Sequence, residues 1–284
     1  MTAASPPPKP ASPVAPPAAA PAAPAAAPKP AAVPPSPPPK VPRSGEVQDR
    51  GVSRRDAIHA LRWSTRGSVK VLGEVDVGQA KLAGTTAVGG PVSSDALRST
   101  GTLDIGGTLE VVGALFSDGV LRTRGPVHAG EAELRGTTHL LGDLRVDRGL
   151  TVHGSLIAPS VRAEGLIAEG ELDVPGEISA SHVDVRFRAR SRVGGVVGAT
   201  VRLTVRPPNP IEMVLGRELP VEVLRIEADS VELEGVDVRF VRAPEIVLGR
   251  EAHVTEFEGK IVRRHPSARV GPESRSPPPH GLSR

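Results

Sequence analysis

Glycine returns along this chain at a spacing that only a coiled sheet explains. Gly67, Gly84, Gly101, Gly119, Gly136, Gly154 and Gly170 stand 17, 17, 18, 17, 18 and 16 residues apart. A second series follows six residues later at Gly73, Gly90, Gly107, Gly125, Gly142 and Gly176, with Ser160 in its one gap. A third runs through Gly78, Gly113, Gly130, Gly149 and Gly165, with Asp95 in the empty slot. One repeat is therefore three short segments, each opened by a turn-forming residue. The glycines are expected at corners, where a positive φ is easily reached only without a Cβ.

Between the glycines the apolar residues come as i, i+2 pairs, among them Val69 and Val71, Val75 and Val77, Leu103 and Ile105, Leu144 and Val146, and Leu172 and Val174. Period two sends each pair to one face and the intervening Lys70, Asp76, Asp104, Arg145 and Asp173 to the other. A repeat this short cannot bury its apolar face alone. Stacked copies pair every strand with the ones above and below and enclose a continuous core. The sequence thus predicts an all-β fold, a three-sided parallel β-helix of about 17 to 18 residues per rung. Seven rungs from Gly67 to Ser181 would make a rod segment on the order of 30 Å long.

Residues 1–44 form a basic Pro/Ala-rich arm; the first 43 hold 17 Pro and 14 Ala, which remove hydrogen-bond donors and supply no core. They read as a disordered, polyproline-biased segment. Lys9, Lys29, Lys40 and Arg43 punctuate it and make it a candidate docking arm for partner proteins. Residues 45–66 read as a lead-in that covers the open end of the rod, with either a short helix after Ser53 or a first strand from Leu61 to Ser64. The β-helix occupies 67–205. A Pro-containing insertion follows at 206–220, whose apolar Ile211, Met213 and Leu215 are a second candidate docking patch. Further rungs fill 221–270, and 271–284 is a second disordered tail.

Net charge is +3, but residues 1–43 and 263–284 each carry +4, which leaves the middle near −5. The basic character therefore belongs to the tails, and nucleic acid is not expected as a ligand of the core. The absence of cysteine excludes disulfides and thiolate chemistry. Aromatic residues make up only 2%, too few for the stacking platforms of sugar or single-strand binders. No run of 18 apolar residues occurs, and the Ala-rich start lacks the basic-then-apolar order of a secretory signal, so a cytoplasmic location is expected.

No catalytic constellation stands out. His59, His128, His139, His153, His182, His253, His265 and His280 show no helix-type metal spacing, and no cofactor is expected. Asp104, Glu110, Asp143 and Asp173 fall at outward positions or turns among basic neighbours, which fits a solvated charge lattice better than a pair of catalytic acids.

The repeat, with its Gly-x-Leu/Val-x-Val/Ile units, resembles that of the bactofilins, also called polymer-forming cytoskeletal proteins. The stretch Val241-Arg242-Ala243-Pro244-Glu245-Ile246-Val247-Leu248-Gly249, followed by Ala252 to Phe257 and Lys260 to Val262, resembles the closing module of longer members of that family. The likeness spans roughly residues 60–270. It implies a right-handed coil and a non-enzymatic bacterial cytoskeletal scaffold that polymerises without nucleotide and recruits client proteins through its tails. The short apolar N-terminal peptide of membrane-binding members is missing from Met1 to Pro10, so lipid anchoring is not implied.

A β-helix has no lateral edges, but its end rungs expose unpaired backbone and core side chains. Leu61 and Trp63 at the N-terminal end, and Phe240, Phe257, Ile261 and Val262 at the C-terminal end, are the candidate polymerisation residues. Two other functions compete: a capped, non-polymerising binding module that docks through 206–220, and a hexapeptide-repeat acyltransferase. The latter's repeats place a single aliphatic residue before the turn, whereas here the i, i+2 pair dominates.

Overall fold

The computed structural model describes residues 42–188, 190–205 and 221–272. Within them the chain forms one parallel sheet wound into a β-solenoid of about 12 turns, and no helix. The strands are β1 (Glu46–Arg55), β2 (Ile58–Val71), β3 (Val75–Val88), β4 (Val92–Ile105), β5 (Leu109–Thr123), β6 (Val127–Leu140), β7 (Leu144–Val146) and β8 (Gly149–Ile157). After them come β9 (Val161–Arg162), β10 (Gly165–Ser179), β11 (His182–Phe187), β12 (Ser191–Val205), β13 (Val221–Glu234), β14 (Asp237–Leu248), β15 (His253–Arg264) and β16 (Arg269–Val270).

Each full turn has three sides, and the i, i+2 pairs supply the inward columns of each. On the first side Ile58, Val75, Val92, Leu109, Val127 and Leu144 stack in register. On the second, Trp63, Ala80, Leu97, Leu115, Ala132 and Leu150 do so. On the third, Val71, Val88, Ile105, Thr123 and Leu140 continue the pattern. These columns are buried along almost the whole rod, and burying one such side chain is worth about 1.5–3 kcal/mol. The rod is held by many similar rungs, each leaning on its neighbours.

The three glycine series do three different jobs. The first has φ between 92° and 146° from Gly67 to Gly170, and there the strand bends from the second side to the third without breaking. At Gly101 a Cβ would sit 2.3 Å from the Gly84 carbonyl oxygen, so both the backbone angle and the stacking demand glycine. The second series lies at the corner where strands break at every member from Gly73 to Gly142, and its φ values are not left-handed. Close approach fixes it instead: a Cβ on Gly90 would lie 2.7 Å from the Gly73 backbone. The third is mixed: a Cβ on Gly78, Gly113 or Gly130 would lie 2.4–2.7 Å from a backbone oxygen of the rung before, whereas Gly149 and Gly165 face open space and Asp95 is accommodated.

One expectation changes. Residues 45–66 are not merely a lead-in: β1 is a rung of its own, paired in register with β2 from Glu46↔Arg62 to Arg55↔Val71, and no helix forms after Ser53. The period-two signal is weak there because the inward positions are Val47, Asp49, Ser53 and Arg55. Across the insertion the register is unbroken, since Ser191 pairs with Val221 and Thr204 with Glu234. Residues 206–220, with Ile211, Met213 and Leu215, lie outside the described residues, as do Lys9, Lys29 and Lys40.

Candidate assembly ends

The two ends of the rod are built from opposite chemistry. At the C-terminal end β15 is the last long strand. Its inward positions continue the columns through Val241↔Phe257 and Ile246↔Ile261. β16 pairs only with His253 and Val254. Among the described residues no strand lies on β15 beyond Val254, so Phe257 and Ile261 remain only partly buried against the core. Next to them Arg264 folds back, its guanidinium donating to the Ala268 carbonyl at 2.9 Å. This end offers an aromatic and a branched aliphatic side chain beside unpaired strand backbone.

At the N-terminal end β1 closes the second and third sides with a charged pair. Arg55 donates through Nε to Asp49 Oδ1 at 3.0 Å and Oδ2 at 3.1 Å. The Trp63 indole N–H donates to Asp49 Oδ2, also at 3.1 Å. Burial pushes the Asp49 carboxyl upward, but hydrogen bonds from Arg55 and Trp63 and the Arg55 charge outweigh it and hold the group below the usual carboxylate range. The last core aromatic is thus sealed beneath a satisfied ion pair.

Of the residues predicted for assembly, Phe257 and Ile261 occupy the expected end. Val262 sits beside them in a register shift between Ile246 and Val247 of the neighbouring strand and points outward, 56% exposed. The other three need correction. Trp63 is 1% exposed because β1, unrecognised from the sequence, covers it. Leu61 lies at an outer corner, its N–H bonded to the Gly45 carbonyl at 3.0 Å, and is exposed on the wall. Phe240 is on the outer wall of β14, between Arg225 and Glu256 in neighbouring strands, with the Arg225 guanidinium 6.0 Å from its ring centroid. It stands at the corner between buried Val238 and Val241, where the alternation changes phase by one residue, so its i, i+2 spacing from Val238 does not carry it inward.

Arg43 is also not free for a partner. It bridges Asp76 at 2.7 Å and Asp95 at 2.8 Å, which ties residues 42–44 to the rod wall. The two aspartates sit on neighbouring strands at outward positions, a juxtaposition that only the register of β3 and β4 makes visible.

The carboxylates weighed as catalytic acids are dispersed on the wall. Asp104 faces Arg122 at 3.9 Å, Asp143 accepts from Ser160 at 2.7 Å, and Asp173 faces Arg192 at 3.6 Å. His128 contacts Asp147 at 3.0 Å, holding that carboxyl below its ordinary range. Among the described residues no three His, Asp or Glu side chains gather as a metal site, and no helix is long and apolar enough to cross a membrane. No family model matches the sequence, and comparisons with curated proteins and with solved structures return no match.

Proposed function

We propose that this chain is a non-enzymatic scaffold that joins end to end into filaments without nucleotide, as the bactofilins it resembles do. The observation that carries the reading is the uncovered rung β15, with Phe257 and Ile261 at inward positions and no strand on them among the described residues. Stacking a second copy there extends both the hydrogen-bond ladder and the core. Fully burying each side chain contributes about 1.5–3 kcal/mol before the costs of association.

The unlike ends favour joining like to like. Apolar C-terminal rungs match each other, and two N-terminal rungs can exchange Asp49 and Arg55 contacts across a two-fold axis. Head-to-tail stacking would instead press the charged pair against Phe257 and desolvate it without new partners. In this reading the protein works in the cytoplasm, and the Pro/Ala-rich arm and residues 206–220 serve client proteins.

Light scattering by the full chain at rising concentration, without nucleotide, tests the proposal. Growth beyond a dimer supports it, and a monomer at every concentration overturns it. A second reading, a module whose assembly stops at a dimer, draws on the polar rung β1. It predicts scattering that saturates at twice the monomer mass.

A further inference from the structure

The second side of the rod gathers cations that the sequence scatters. Register brings Arg50 beside Arg66 on β1 and β2, and Lys81 beside Arg98 on β3 and β4. Arg62 stands two residues before Ser64, which pairs with Lys81. All five are exposed. A trough of about 370 Å³ runs between the two pairs, floored in part by Ala83 and Thr100.

These charges are not consumed among the described residues. Among the described residues no carboxylate pairs with Arg50, Arg62, Arg66 or Lys81, although the chain pairs many other arginines. Arg98 lies 4.5 Å from the Phe116 ring centroid, which orients its guanidinium without neutralising it. Of the nearby acids, Asp49 is turned inward and occupied by Arg55 and Trp63, while Glu46, which accepts from Gln48, stands beside Arg62 in register and offsets part of that one charge. The patch is bounded along the rod: Thr100 is followed in its column by Asp118, and Phe116 by Glu133, which pairs with Arg135.

We propose that this trough binds the phosphate backbone of nucleic acid without regard to sequence. Four of the five cations are arginines, whose planar donors match phosphate oxygens. Neighbouring rungs are roughly 4.8 Å apart, and residues two apart on a strand about 7 Å, so the rigid sheet presents several cations to consecutive phosphates at once. Other polyanions fit less well. An acidic protein surface needs a buried apolar or aromatic anchor, whereas here Leu61 lies off at the corner and the neighbouring Phe116 ring is taken up by Arg98 and Arg135. A bilayer is flat, whereas the cations flank a concavity. The expectation that nucleic acid bypasses the core came from whole-segment charge, which cannot see how one face sorts its charges.

The test is fluorescence anisotropy of a labelled DNA of about 30 nucleotides with the full chain across a salt series. Binding should weaken steeply with salt. The double substitution Arg66→Glu and Lys81→Glu should reduce affinity at least tenfold and lower the salt slope by about 2. Arg122→Glu, on another face, and Lys9, Lys29 and Lys40 changed together to Gln, should each retain most of the binding. Circular dichroism and light scattering of the double variant should match the parent, which separates this result from any failure of assembly. Absent binding at low salt, or binding lost with the arm lysines and kept by the double variant, overturns the proposal. So does equal binding of phosphatidylglycerol vesicles with the same loss in the double variant, which would assign the face to a membrane.

Discussion

Trp63 donates its indole N–H to Asp49 across the first two rungs, at 3.1 Å, and both side chains are buried. The contact closes the N-terminal end: Val47 stacks over Trp63, and Asp49, stacked over Thr65, reaches the indole N–H. Trp63 is also the sole tryptophan in the chain, so its emission reports on this end alone.

Replacing Asp49 with Ala leaves the indole N–H and the Arg55 guanidinium without their acceptor. A buried donor left unsatisfied costs about 1–3 kcal/mol. β1 should fray, and Trp63 emission should shift to the red with increased quenching by acrylamide, while far-ultraviolet circular dichroism changes little. Unaltered emission and quenching would mean that the ion pair does not hold the first rung.

Acid should do the same reversibly. The Asp49 pKa is depressed in the folded state, so its stabilisation is present above the unfolded value near 3.9 and is lost as pH falls through the lower folded value. A fluorescence titration should therefore show Trp63 stable from neutral pH down to about 4 and progressively exposed as pH falls from there through the depressed folded value. In Asp49→Asn that acid transition should be absent.

The first glycine series separates corners that require glycine from positions that merely contain it. Gly101→Ala puts a Cβ 2.3 Å from the Gly84 carbonyl at a φ of 114°. It should destabilise the rod by more than about 2 kcal/mol or prevent its folding. Gly149→Ala meets nothing within 4 Å, its φ is not left-handed, and it should change stability by under about 1 kcal/mol. Chemical denaturation of the two variants checks the contrast, and equal effects would contradict the assigned roles.

The repeat was legible because it is written twice, in glycine spacing and in i, i+2 pairs, and both signals survive from β2 to β6 almost without exception. The first rung was not, because Asp49, Ser53 and Arg55 stand where the pattern expects aliphatic residues, and the polar cap erases the periodicity that would reveal it. Phe257 and Ile261 could be found by following the columns to their end. Phe240 could not be sorted from them without knowing which phase of the alternation faces inward, since an aromatic residue on an outer wall carries the same letter as one in the core. The pairing of Arg43 with Asp76 and Asp95, and the basic trough, depend on side-by-side placement of residues 16 or more apart, which register alone supplies.

Electron microscopy of Phe257→Arg, beside Phe240→Arg as a wall control, tests end-to-end assembly most directly. The account predicts that Phe257→Arg keeps its β content but reduces filaments to single rods or dimers joined through N-terminal ends, while Phe240→Arg filaments match the parent. Full-length filaments from folded Phe257→Arg protein would contradict it.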